Sequence, residues 1–360
     1  MLSLGLLSLQ PETQPFFSQL AYRAADYGIQ CYRFSPLQIH PDTDLIEGER
    51  YDLDLQEWVN ETFSIPKYLY DRCYYGDDRK SFESKSIIRW LKSRDDLTFL
   101  GYGLPNKWML YEKLSTFDSL SPYLPDTEKA KNVKHIIQVL SRYKTIVLKP
   151  VNGAHGYGIY IITLHPKEVT IQTQKKNQII TQTFSLDGAW TNWLSQLIEK
   201  KDFLIQPYLS LKNQATQPFD IRIFLQKDER GNWVERGRGV RVGISGGVIS
   251  NLSGGANVTS YEEWLKDLPK LKRDFIHQEI QSIVKQLPEI LEDSFFPLFE
   301  VGLDIGIAQD FSVWLLDVNS KPGRSVILSL FPEMEEVLVN APLRFTRYLY
   351  QISKPGRVKK

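Results

Sequence analysis

The chain has 360 residues, 42% hydrophobic and 24% charged, which is an ordinary globular composition and excludes a disordered, collagenous or disulfide-stapled chain. Lys+Arg 44 against Asp+Glu 43 leaves a net charge of +1, so a globally basic nucleic-acid binder is excluded and any anion must be held by a local cluster. Cys31 and Cys73 make neither a disulfide framework nor a metal pattern, and both read as small buried thiols.

The start, Met1 to Phe17, has a short apolar stretch but no basic n-region and no small-residue cleavage site, so it reads as a first strand (2–9) and not as a signal peptide. No apolar run reaches the roughly 18 residues of a membrane span, so a soluble, cytoplasmic protein is expected. Residues 15–27 predict a helix, with Phe16, Leu20 and Ala24 at helical spacing and Gly28 ending it. Residues 29–34 are the next strand, and the strand–helix–strand order predicts a parallel βαβ unit. A short strand at 66–71 and an amphipathic helix at 81–92 follow.

The cluster Gly101-Tyr102-Gly103-Leu104-Pro105 marks a turn, and Asn106 is placed to cap a helix over 106–114. Further on come a helix at 133–140, a strand at 145–148, a polar hairpin at 172–183 and a helix at 190–199. Residues 203–350 alternate strands and helices, and the basic end from Lys354 reads as a frayed tail.

Four stretches carry candidate chemistry. In the first, a strand ends in Lys149-Pro150, and glycines follow at 153, 156 and 158. Such a loop turns backbone N–H groups toward an anion and suits a triphosphate, but it is not a Walker A loop because the lysine precedes the glycines. In the second, Asp317 and Asn319 lie two apart on a strand and share a face, with Asp304 at the end of the preceding strand of the hairpin. Two carboxylates and an amide oxygen make a hard-oxygen site of the kind that holds Mg²⁺ against substrate phosphates. In the third, Asp220 and Arg222 share one strand face; in the fourth, Arg236, Arg238 and Arg241 lead to Asn251 and the glycines at 254 and 255. Guanidinium on a rigid strand suits phosphate or carboxylate.

The order of these motifs, with Asn106-Lys107 and 204–209, resembles the ATP-grasp superfamily, and within it the YheC/YheD proteins of spore-forming bacteria, often called endospore coat-associated. The resemblance covers essentially the whole chain, and the stretch from Asp317 to Gly323 is its most specific piece. It implies an α/β ATP-grasp fold with α+β lobes behind an N-terminal α/β pre-ATP-grasp domain. The domains would be 1–97, then 98–352 with a lid at about 145–205, then the tail 353–360.

The same resemblance implies ATP and Mg²⁺ (or Mn²⁺) as cofactors and assigns roles. Lys107 and Lys149 would touch phosphates, as would the loop Gly153, His155, Gly156, Tyr157 and Gly158. Gln206, Pro207, Tyr208 and Leu209 would meet adenine. Arg222, Arg241 and Lys149 would act on the transferring phosphate, with Asn251 nearby. Asp304, Asp317 and Asn319 would hold the metal, and Arg324 a substrate carboxylate. Pro207 stands where the family carries an acid, and Asp317 where it carries Glu, one methylene longer. The implied activity is ATP-dependent ligation of a small-molecule or peptide carboxylate to an amine or thiol through an acyl-phosphate, with spore coat proteins as partners. A non-catalytic ATP-binding or structural coat-associated protein, and an ATP-dependent small-molecule kinase, are the alternatives.

Overall fold

The computed structural model of the chain describes residues 2–153, 158–250, 252 and 255–354. The first sheet holds β1 (Leu2–Leu7), β2 (Ile29–Phe34), β3 (Ile39–His40), β4 (Leu45–Asp52), β5 (Glu57–Ser64), β6 (Tyr68–Asp71) and β7 (Thr98–Phe99) in the order β3-β4-β2-β1-β6-β7, with β5 paired to β4. Helices α1 (Pro15–Ala24) and α2 (Arg79–Lys92) accompany it. The expected βαβ unit is present: β1 pairs with β2 and β6 in parallel, and Gly28 leaves the helical segment at φ +62°. The β4–β5 hairpin is an addition to the expected elements. Half-buried charge pairs hold it, Arg33 of β2 to Glu49 at 2.6 Å and Arg50 to Glu61 across the hairpin at 2.6 Å, in place of an apolar alternation that the sequence would reveal.

Helix α3 (Lys107–Leu114) leads to the second sheet, and Asn106 caps it, its Oδ1 accepting from the Met109 N–H at 3.0 Å. That sheet runs β12-β11-β10-β9-β13-β8. Its strands are β8 (Glu128–Lys129), β9 (Thr145–Pro150), β10 (Tyr160–Leu164), β11 (Glu168–Lys175), β12 (Gln178–Ser185) and β13 (Phe203–Pro207). Helices α4 (Val133–Tyr143) and α5 (Gly188–Lys200) bury Ile136, Val139, Leu140, Trp190 and Leu194 against Ile146, Leu148 and Ile162.

The third sheet, β16-β15-β14-β17-β18, is antiparallel throughout. It comprises β14 (Phe219–Lys227), β15 (Trp233–Val242), β16 (Asn257–Ser260), β17 (Glu300–Ile307) and β18 (Val313–Asn319). Helices α6 (Tyr261–Lys266), α7 (Lys270–Ser294), α8 (Ser325–Leu330) and α9 (Met334–Ile352) complete the chain. One stripe of α7, Ile276, Ile280, Ile283, Leu287 and Leu291, is fully buried against Ile221, Ile223, Leu303 and Ile305. Each such side chain contributes about 1.5–3 kcal/mol of burial. The last helix returns to the first sheet, where Val339, Leu343 and Phe345 share a core with Leu4, Phe17 and Leu20. Among the described residues, no helix is long and apolar enough to cross a membrane.

Candidate functional site

A cleft of about 370 Å³ opens between the second and third sheets. The third sheet supplies its floor through the pairing of its strands. Asp220 on β14 faces Arg241 on β15, Arg222 faces Asp304 on β17, and Asp304 faces Asp317 on β18. Directly opposed residues point to the same side of a sheet. Four adjacent strands therefore place Arg241, Asp220, Arg222, Asp304 and Asp317 on one face, and the two-residue period adds Asn319. Asp304 lies within β17 and not at its end, which corrects the expectation from sequence.

These charges neutralise one another. Arg222 donates from Nε to Asp304 Oδ1 at 2.6 Å and from Nη2 to Oδ2 at 3.0 Å. Arg241 grips Asp220 with Nε and Nη2 at 2.6 and 2.5 Å, and its Nη2 lies 3.0 Å from Asp304 Oδ1. Ser250 donates to Asp220 Oδ2 at 2.7 Å. Burial pushes the Asp304 carboxyl up, but the guanidiniums of Arg222 and Arg241 outweigh it and hold the group below the usual carboxylate range. The opposite wall carries Lys107, the first residue of α3, whose Nζ pairs with Asp317, and Lys149 on β9.

Lys149, placed by β9, finds an acceptor at an irregularity of the third sheet. The register of β17 with β18 slips between Asp304 and Ile305, leaving Leu316 as an extra residue. The Leu316 carbonyl accepts from Lys149 Nζ at 3.2 Å. Burial, with Lys107 nearby, pulls the Lys149 ammonium down to about 8.

The end of β13 and the residues after it line the same cleft with Gln206, Pro207, Tyr208 and Leu209. Pro207 ends β13, two residues past the last residue that pairs with β8, so its missing N–H costs that side of the sheet nothing. Gln206 Nε2 donates to Thr127 Oγ1 at 2.7 Å, and the Tyr208 N–H donates to the Thr145 carbonyl at 3.1 Å.

Of the glycine loop, Gly153 and Gly158 are described; His155, Gly156, Tyr157 and also Asn251 lie outside the described residues. Gly158 has φ +77°, and a Cβ there would sit 3.1 Å from Pro150 Cγ. Gly158→Ala is expected to destabilise the protein by about 1 kcal/mol. Thermal melting checks this, and an unchanged Tm would show that the loop relaxes around a side chain.

Arg324 is not brought to the cleft. Its guanidinium lies 3.7 Å from the Phe16 ring centroid, bonds to the Tyr70 hydroxyl and approaches Glu300 Oε2 at 3.5 Å. Arg238 is likewise spent elsewhere, on Glu235 at 2.5 Å and over the Tyr261 ring. The β14–β15 register slips between Phe224 and Leu225, so Arg236 is the extra residue of a bulge and Arg241 alone of the three reaches the cleft. Conversely, Tyr74, Lys212 and Ser250 line the cleft and no motif announces them, because each arrives on a loop from a distant part of the chain.

Asp304, Asp317 and Asn319 offer two carboxylates and an amide oxygen from neighbouring strands, and the Asn319 amide bonds to no other described residue. That donor set fits a hard divalent cation shared with phosphate oxygens. A wall bearing Lys107 on α3 and Lys149 on the second sheet, facing a carboxylate- and arginine-bearing floor on the third, is the arrangement of an ATP-grasp fold. The chain belongs to the YheC/D-like ATP-grasp family, whose profile matches residues 96–349. It is 37% identical over 351 residues to the endospore coat-associated protein YheC of Bacillus subtilis, covering 97% of this chain and 96% of that one. Among solved structures, D-cycloserine synthetase DcsG matches with a TM-score of 0.54 at 11% identity, over 98% of this chain and 100% of that one. D-alanyl-alanine synthetase A from Vibrio cholerae matches at 0.52 and 13% identity, over 97% and 96%. At these identities the likeness to the two synthetases is one of fold.

Proposed function

We propose that the chain is an ATP-dependent carboxylate–amine or carboxylate–thiol ligase working through an acyl-phosphate. The observation that carries this reading is the convergence of Lys107, Lys149, Arg222 and Arg241 with Asp304, Asp317 and Asn319 on a single cleft. Adenine would lie against Gln206–Leu209, where the Tyr208 N–H is committed to Thr145 and the Leu209 carbonyl to the Leu211 N–H, so the Pro207 carbonyl and the Leu209 N–H are the groups offered to the base. Lys107 and Lys149 would hold the phosphates, and the glycine loop would close over them as part of a lid at 145–205. The chain would divide at about residue 97, the first sheet acting as the pre-ATP-grasp domain.

Mg²⁺ held by Asp304, Asp317 and Asn319 would supply charge neutralisation on the β- and γ-phosphate oxygens. A substrate carboxylate oxygen then forms a bond to the γ-phosphorus as the bond to the β-phosphate oxygen breaks and ADP leaves. Lys149, Arg222 and Arg241 orient the transferring group and offset its spreading charge. An amine or thiol attacks the acyl-phosphate carbonyl, losing a proton, and inorganic phosphate departs. No cysteine nucleophile is called for: burial raises the thiols of Cys31 and Cys73 far from reactivity. From the name of its relative YheC, we extend to this chain an association with the spore coat.

Calorimetry is expected to show ATP binding that tightens when Mg²⁺ is added. No binding in either condition would overturn the ligase reading and leave a structural coat protein. A screen of amino acids and short peptides for stimulated phosphate release, with mass spectrometry, identifies the substrates. A phosphorylated product without an amide or thioester would mark a kinase instead.

A further inference from the structure

The segment leaving β6 reaches across to the loop that follows the metal-site strand β18. Asp71 is buried; its Oδ1 accepts from Lys321 Nζ at 2.6 Å and from the Cys73 N–H at 3.0 Å. Lys321 also donates to the Cys73 carbonyl at 3.0 Å, and the Tyr74 hydroxyl donates to the Lys321 carbonyl at 3.0 Å. At the centre is Arg72. One arm of its guanidinium pairs with Glu300, at the head of β17; the other donates to the Pro322 carbonyl at 3.0 Å and to the Tyr74 hydroxyl.

Arg72 and Glu300 are both almost completely buried. A buried ion pair is no more stabilising than well-packed apolar side chains, so stability does not explain it. Its geometry does more. Glu300 begins the strand carrying Asp304, and Pro322 lies three residues beyond Asn319. The Pro322 ring also rests on the β17 backbone at Gly302, where an added Cβ would fall 2.7 Å from Pro322 Cβ and 3.3 Å from Arg222 Nη1. Arg72 therefore holds both strands that carry the candidate metal ligands, at the ends where they leave the cleft.

We propose that Arg72 is a positioning residue through which the N-terminal sheet sets the spacing of Asp304 against Asp317 and Asn319, and so the strength with which the site takes Mg²⁺ together with nucleotide. This rests on the ligase reading above. Lysine at this position would keep the charge opposite Glu300 but has no second arm for Pro322.

The test is calorimetric binding of ATP to the full chain over a range of Mg²⁺ concentrations, and separately in EDTA. Arg72→Lys is expected to raise the Mg²⁺ concentration for half-maximal enhancement by about tenfold or more, the usual cost of removing a partner behind metal ligands. Affinity in EDTA should stay at the wild-type value, a split that general loosening of the fold would not produce. A folded Arg72→Lys with wild-type Mg²⁺ dependence would overturn the proposal. Should that variant not fold, Glu300→Gln decides, since it keeps the shape, removes the charge that holds Arg72 at the head of β17 and leaves every cleft-lining side chain in place. A shift in the same direction supports the proposal and an unchanged dependence overturns it. Wild-type protein that binds no ATP at all would instead remove the ligase reading, and this inference with it.

Discussion

Asp317→Asn is expected to abolish magnesium-dependent phosphoryl transfer while leaving the fold intact. The substitution preserves size and removes one of the two carboxylates that the β17–β18 register sets opposite each other. It also strips Lys107 of its ion-pair partner in the cleft. Several kcal/mol of charge stabilisation in the transition state would be lost, about 100-fold or more in rate. Phosphate release at saturating ATP and varied Mg²⁺ measures the effect, with circular dichroism and Tm as controls for folding. A variant as active as wild type, with the same magnesium dependence, would make Asp317 a structural residue of the strand end.

Lys149→Met should weaken ATP binding by about 2–5 kcal/mol, the usual range when one partner of a desolvated charge pair is removed. The environment of Lys149 adds a signature in pH. Its ammonium is pulled from 10.5 to about 8 by burial and by Lys107. Nucleotide phosphates would draw that value back up, so binding above pH 8 must take up a proton and weaken as pH rises. Calorimetry at pH 8.5 in buffers of different ionisation enthalpy should show this uptake in wild type and not in the variant. Stability has the opposite dependence. Between about 8 and 10.5 the unfolded chain binds the proton that the folded chain has lost, so stability rises with pH across that window. Lys149→Met should remove the rise and melt higher than wild type at pH 7, because a cation no longer has to be buried. Equal proton uptake in both proteins would show that Lys149 does not meet the phosphates.

Much of this site follows from local pattern. The two-residue strand period places Asp317 with Asn319 and Asp220 with Arg222 on common faces, and both placements hold across the third sheet. Apolar periodicity and the turn at Gly28 specify the parallel βαβ start. Asn106 announces the helix that presents Lys107. In each case a residue acts on neighbours within a few positions, where chain geometry leaves few options.

Which charges meet is another matter. Arg222 and Asp304 are 82 residues apart, and Arg72 and Glu300 are 228 apart. Arg324, one residue beyond the most specific motif, turns to Phe16 and Tyr70 because the first sheet packs beside it. The bulge at Leu316 whose carbonyl meets Lys149, and the one that diverts Arg236, arise from strand register. The chain by itself determined which side chains share a strand face and which stretches carry the residue types suited to phosphate and to a hard cation. Only the tertiary structure decided which arginine faces the cleft, because a guanidinium takes whichever carboxylate or ring the assembled sheets bring within reach, and no short stretch of sequence encodes that distance.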